Sequence, residues 1–73
     1  MTPAQCRSAR VLAELSQAAL AAVAVVPAAL IAEYEAGIGI PRASDLQAIK
    51  AALERAGVEF IDGDRPGVRL RKE

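Results

Sequence analysis

Residues 16–37 read SQAALAAVAVVPAALIAEYEAG, and this stretch decides the predicted fold. Ser16 has a side chain typical of a helix N-cap, which predicts a helix over about residues 17–24. Pro27 suits the first turn of a further helix, and Gly37 is typical of the position that ends one. The stretch therefore predicts two short helices joined by a tight turn.

Two more helices are predicted on either side of this central pair. Thr2 can cap a first helix over about residues 3–15. After a loop, Ser44 or Asp45 can cap a fourth helix that runs to about residue 56. The apolar side chains of this fourth helix follow the spacing of one buried stripe, so it is expected to pack against the others.

The last part of the chain has a different pattern. Val58 and Phe60 alternate with their neighbours, as do Val68 and Leu70, which predicts two short strands or a hairpin. An isolated hairpin is barely stable in water, so the strands are expected to pack on the helices or to pair with a second chain. The predicted organisation is a helical domain over residues 1–57 and a short β-strand tail over residues 58–73.

Composition limits the function of the chain. It has 73 residues, of which 17 are alanine, and its nine basic and nine acidic side chains give no net charge. It has no histidine, one cysteine (Cys6) and no glycine-rich phosphate loop, so we expect no enzymatic activity, no metal and no cofactor. The apolar run over residues 18–31 is too short for a membrane span and contains Pro27, so we expect a soluble cytoplasmic protein.

The helical part of the sequence contains a set of residues in a familiar order, namely Arg10, Ser16, Gln17, Leu20, Ala21, Ala24, Val26, Ile31, Tyr34, Glu35 and Gly37. With these residues, the sequence resembles the Cro/C1 (XRE) helix-turn-helix family over about residues 4–56. The resemblance implies an all-α, four-helix domain with a short C-terminal β segment.

The resemblance also implies a role for individual residues. Arg10 and Glu35 correspond to an internal ion pair, and Gln17 corresponds to a residue that approaches the DNA backbone. The centre of the core is expected at Leu20, Ala21, Val26 and Ile31. The face of the third helix that enters the major groove corresponds to Pro27, Ala28, Ala29, Ala32 and Glu33.

This face departs from the family pattern. Direct base reading needs side chains that donate or accept hydrogen bonds at base edges, whereas proline and alanine offer only apolar contacts. Residues 11–41 contain no Lys or Arg, although DNA-binding domains make phosphate contacts from this region. Val25 stands where a glycine is frequent, so we expect a rebuilt turn if the backbone there has a positive φ. Val23 and Val25 then either form an exposed apolar ridge with Pro27 and Ala28 or are buried by that rearrangement.

Two functional hypotheses follow. The first is a transcriptional regulator that binds a protein partner, such as a transcriptional activator, as in the small antiactivators of LuxR-type quorum-sensing activators, which the chain resembles in kind. Its partner-binding residues are predicted to be Val23, Val25, Pro27, Ala28, Ala32 and Glu33.

The alternative is a sequence-specific DNA-binding repressor of the same family that acts as a homodimer. Its two copies would pair through the C-terminal strands. Its DNA-binding residues would be Gln17, Pro27, Ala28, Ala29, Glu33 and Arg42.

Overall fold

The computed structural model describes residues 1–71, so the last two residues of the predicted β-strand tail, Lys72 and Glu73, lie outside the described residues. The described chain folds as four α-helices followed by a two-stranded antiparallel sheet. The elements are α1 (Pro3–Leu12), α2 (Gln17–Ala24), α3 (Ala28–Glu35), α4 (Ala43–Arg55), β1 (Val58–Ile61) and β2 (Gly67–Leu70).

The N-terminal caps of α1 and α2 are the predicted ones. The Thr2 hydroxyl accepts from the Gln5 backbone N–H at 3.1 Å, and the Gln5 side-chain oxygen accepts from the Thr2 N–H at 2.9 Å. The Ser16 hydroxyl accepts from the Ala19 N–H at 3.0 Å. Each cap satisfies backbone donors that a helix start leaves without an intrahelical partner.

Three helix boundaries differ from the prediction. α1 ends at Leu12, because Glu14 adopts a left-handed conformation with φ +57°. Pro27 is the N-cap of α3 rather than a residue of its first turn. α4 begins at Ala43 with Arg42 as the N-cap and without a side-chain cap hydrogen bond, so Ser44 and Asp45 do not cap it. Asp45 instead lies in the first turn, where its negative charge interacts favourably with the helix dipole.

The two strands form a hairpin that packs on the helices. Val58 pairs with Leu70 and Ile61 with Gly67, and Val58 is completely buried in the helical core. The buried Gln5 side chain donates to the carbonyl oxygens of Ile61 at 3.3 Å and Gly67 at 3.1 Å. Of the two predicted arrangements for the strands, the structure has the one in which they pack on their own helices.

The core lies between the four helices and the inner face of the hairpin. Leu20, Ala21 and Ile31 are buried at its centre as predicted, whereas Val26 is only partly buried because it lies at the turn. Among the described residues, no helix is both long enough and apolar enough to cross a membrane. The largest fully buried side chains are Leu20, Ile31, Ile49, Leu53, Val58 and Cys6.

Candidate functional site

The turn between α2 and α3 keeps a left-handed residue at its centre. Val25 has φ +59° and ψ +50°, and the Val26 N–H donates to the Ala21 carbonyl at 3.0 Å across the turn. This conformation costs an ordinary L-residue about 1–2 kcal/mol, and a β-branched residue adopts it rarely. The expectation that valine would force a rebuilt turn is therefore wrong, and the turn is closed with the strain retained.

The turn exposes its apolar side chains. Val25 is 87% exposed and Val23 is 50% exposed, and Pro27 and Ala28 beside them are also exposed. Burial by a rearranged turn, the second predicted outcome for these residues, is wrong because the turn is not rearranged. These four residues form what we call the turn ridge, an apolar surface at the start of α3.

A buried ion pair holds the other end of α3. Arg10 Nε lies 2.8 Å from Glu35 Oε2, and Arg10 Nη2 lies 3.0 Å from Glu35 Oε1. The Gln17 amide donates to Glu35 Oε1 at 3.1 Å, and the Cys6 thiol lies 3.6 Å from Glu35 Oε2. The Arg7 guanidinium donates to the Glu35 backbone carbonyl at 3.0 Å. These contacts tie α1 and the start of α2 to the end of α3, and so fix the direction in which α3 points.

The pKa values of Glu35 and Cys6 in this cluster follow from their burial and their contacts. Burial alone would raise the pKa of Glu35, but hydrogen bonds from Arg10 and Gln17 and the Arg10 charge hold it below its ordinary value. Burial, with the neighbouring Glu35 carboxylate, raises the pKa of the Cys6 thiol to about 12. Cys6 is therefore a protonated core side chain at neutral pH, unlike the low-pKa thiolates of reactive cysteines.

The outward face of α3 is small and acidic. Ala28, Ala29 and Glu33 are exposed, whereas Ala32 is only half-buried and contributes less to the surface than its predicted place implies. None of the alanines can donate to or accept from a base edge. Glu33 adds the carboxylate of this exposed face. The chemistry of this face favours apolar and cationic ligands.

A groove lies between α3 and the loop that follows it. Its volume is about 300 Å³, and Ile38 and Ile40 on its loop side are 60% and 98% exposed. The sequence analysis did not select these two isoleucines, because they lie in a loop without the periodicity that identifies an apolar face. We call this feature the α3–loop groove, and its lining residues are Pro27, Ala29, Leu30, Glu33, Ile38, Gly39, Ile40 and Pro41.

The residues predicted to contact DNA have mixed placements. Gln17 is half-buried and uses one of its two amide hydrogens on Glu35, while Arg42 is exposed at the start of α4. In the tail, Arg69 pairs with Glu59, and the Arg71 guanidinium donates to the backbone carbonyl of Glu54 at 3.2 Å. Arg42 is the one basic residue among the six predicted DNA contacts, and its side chain is exposed.

The comparisons with known proteins agree with this architecture. A helix-turn-helix family model matches residues 7–60, which include all four helices except the start of α1, together with most of β1. No curated protein shows a significant match to the chain.

Proposed function

Because the chain belongs to the Cro/C1-type (XRE) helix-turn-helix family, we propose that it regulates transcription by binding a protein partner. The binding surface is the one that DNA-binding members of this fold turn toward DNA. It consists of the turn ridge, the outward face of α3 and the α3–loop groove. The ion pair between Arg10 and Glu35 supports this surface from behind by fixing α3.

The observation that carries the proposal is the chemistry of this surface. Its exposed side chains are valine, isoleucine, proline and alanine, and its charge is the carboxylate of Glu33. Contiguous exposed apolar surface is typical of protein contact sites, and the cores of such sites contain few charged residues. Burying one Val or Ile side chain stabilises a complex by about 1.5–3 kcal/mol, so a few of these residues can supply a useful affinity.

Sequence-specific DNA binding as a homodimer is the second candidate. Members of this family usually bind DNA, and the left-handed turn keeps α2 and α3 in the arrangement of the fold. The starts of α2 and α4, with Gln17 and Arg42, offer donors to phosphates. Ala28 and Ala29 could then contact thymine methyl groups, and the two copies would pair through their C-terminal strands.

Fluorescence anisotropy with a mixed-sequence DNA duplex at low salt separates the two candidates. Non-specific DNA-binding proteins have a Kd of about 10⁻⁴ to 10⁻⁶ M at physiological salt and bind more tightly at low salt. Under the proposal, the wild-type protein leaves the anisotropy unchanged. Binding that weakens steeply with salt, and that is lost in Gln17→Ala or Arg42→Ala, would establish the DNA-binding candidate instead.

A gain-of-function variant adds a test in which the proposal predicts that DNA binding appears rather than that it is absent. Ala29→Arg combined with Glu33→Gln adds a donor to the outward face of α3 and removes its negative charge, so DNA affinity is expected to appear. Ala56→Arg with Glu54→Gln makes the same change in charge at exposed positions near the end of α4 and is the matched control. Equal DNA affinity in both double variants would mean that net charge, rather than the face of α3, decides DNA binding.

A further inference from the structure

The α3–loop groove has a chemistry that specifies a class of partner, provided that the proposed function holds. Apart from Glu33, its walls are built from side chains of proline, alanine, leucine and isoleucine. Small-molecule sites contain several convergent polar groups, whereas this groove offers one carboxylate beside an apolar wall. The groove is therefore suited to the side chains of a peptide segment that lies across it.

Charge narrows the class of partner further. Glu33 makes no ion pair within residues 1–71, and none of the residues that line the groove is Lys or Arg. A partner that covers the groove removes water from this carboxylate, and an unpaired buried carboxylate is costly. The partner must therefore bring a cation to Glu33.

Two other occupants fit this charge poorly. A second copy docked groove to groove would bring no cation to Glu33, because a two-fold contact uses the same surface on both subunits and no Lys or Arg lines this groove. DNA would place its phosphates against the same carboxylate. A segment with Lys or Arg beside bulky aliphatic side chains satisfies both the charge and the apolar wall.

The groove is also preorganised. The Ile38 N–H donates to the Glu33 carbonyl at 2.9 Å, and the Gly37 N–H donates to the Tyr34 carbonyl at 3.0 Å, so the loop is fastened to the end of α3. Gly39 has φ +79°, and a Cβ added there would lie 3.6 Å from the Glu33 carboxylate, so the side chain of Glu33 lies beside the loop. A groove that is already formed loses little conformational freedom when a partner binds.

We infer that the α3–loop groove binds an amphipathic partner segment that inserts aliphatic side chains between Ile40 and α3 and places a Lys or Arg on Glu33. A helix that carries its apolar side chains on one face is the simplest form of such a segment.

The test uses the full-length protein and designed peptides. The first probe is a short fluorescent helical peptide with leucines along one face and lysines beside them. The second probe replaces the lysines with glutamates, and the third replaces the leucines with serines. We expect the first peptide to bind with a Kd of about 10⁻⁴ M or better, and the other two to bind at least about tenfold more weakly. Amide chemical shifts of the protein should change mainly over residues 27–41.

Matched variants locate the contact. Glu33→Gln should weaken binding about threefold to tenfold, whereas Glu14→Gln, a change of the same type on another exposed carboxylate, should not. Ile40→Ser should weaken binding about tenfold or more, whereas Val11→Ser, at another exposed apolar position on α1, should not. All four side chains are exposed, so the variants are expected to remain folded, which circular dichroism checks.

Four outcomes of these experiments would overturn the inference. These are no binding of the lysine peptide, equal binding of the lysine and glutamate peptides, chemical-shift changes centred on α1 and β2, or self-association of the protein that Glu33→Gln strengthens. A different result would contradict the proposed function, namely salt-dependent DNA binding by the wild-type protein. A protein that binds neither DNA nor the lysine peptide therefore overturns this inference while the proposed function survives.

Discussion

Replacing Val25 with glycine is expected to stabilise the protein. Val25 is held at φ +59° and ψ +50°, where the side chain of an L-residue crowds the backbone at a cost of about 1–2 kcal/mol. Glycine has no Cβ and removes this cost. It also increases the conformational entropy of the unfolded chain, which lowers the free energy of unfolding by about 0.4–1 kcal/mol. Because the Val25 side chain is almost fully exposed, little buried apolar contact is lost. The net gain is about 0.5–1 kcal/mol.

The gain is measurable by urea and thermal unfolding followed by circular dichroism. For a domain of this size, a gain of about 0.5–1 kcal/mol raises Tm by about 2–8 °C. The urea m-value should not change, because Val25→Gly leaves the surface exposed on unfolding almost unaltered. Val25→Asn tests the cause, since asparagine keeps a Cβ but tolerates the left-handed region better than valine does.

Glu14 provides the matched control, because it is the other non-glycine residue with a positive φ among those described, at +57°. Its side chain is not β-branched, so Glu14→Gly should give a smaller gain than Val25→Gly. A loss of stability in Val25→Gly, or a larger gain in Glu14→Gly, would refute the argument that a strained valine closes the turn.

Three further predictions concern the interior. Glu35→Gln should destabilise the protein by about 2–3 kcal/mol, because the partly buried guanidinium of Arg10 then loses its charge partner. The folded-state pKa of Glu35 is lowered, so its contribution is complete above the ordinary carboxyl pKa of about 4.3 and is lost as pH falls through the folded value. Urea midpoints measured from neutral to acidic pH should therefore converge for wild type and Glu35→Gln. Cys6 should react with iodoacetamide at neutral pH only after denaturant is added, because its thiol is buried and protonated. Gln5→Ala should cost about 1–3 kcal/mol and speed amide hydrogen exchange in β1 and β2, since two strand carbonyls lose their donor.

Each of these three predictions has a result that contradicts it. A constant stability difference between wild type and Glu35→Gln across the acidic range would mean that the lowered pKa is not the origin of the effect. Rapid alkylation of Cys6 in the native protein would show that α1 opens readily. Unchanged exchange in the hairpin of Gln5→Ala would assign the anchoring of the strands to the apolar packing of Val58, Phe60 and Val68.

Local signals were sufficient for most of the fold. The caps Thr2 and Ser16 predicted the starts of α1 and α2, because an N-cap acts on backbone donors only two or three residues away. The start of α4 was missed, since Arg42 begins that helix without any side-chain cap and leaves no mark in the sequence. The attachment of the hairpin by Gln5 was also missed, because the contact joins residues that are 56 and 62 positions apart.

The candidate site was only partly predictable. At Val25, the sequence left open whether the side chain is exposed or buried by a rearranged turn, and the expected rebuilding was wrong because the strain energy and the burial energy of one valine are of similar size. Ile38 and Ile40 were missed for a different reason. Periodicity identifies apolar faces of helices and strands, whereas a loop has no period against which an isoleucine can be judged.

The structure separates the residues that hold α3 in place from those that it presents. Ile31, Tyr34 and Glu35 face inward, where Ile31 is completely buried and the Tyr34 hydroxyl donates to the Met1 carbonyl at 3.0 Å. The outward positions 28, 29 and 33 take no part in these contacts. Because the two sets do not overlap, changes on the outward face alter what α3 can bind while the scaffold stays folded. Val25 is the exception, because its exposed side chain belongs to the turn ridge while its backbone is strained, so a change at this position alters both the ridge and the stability of the turn.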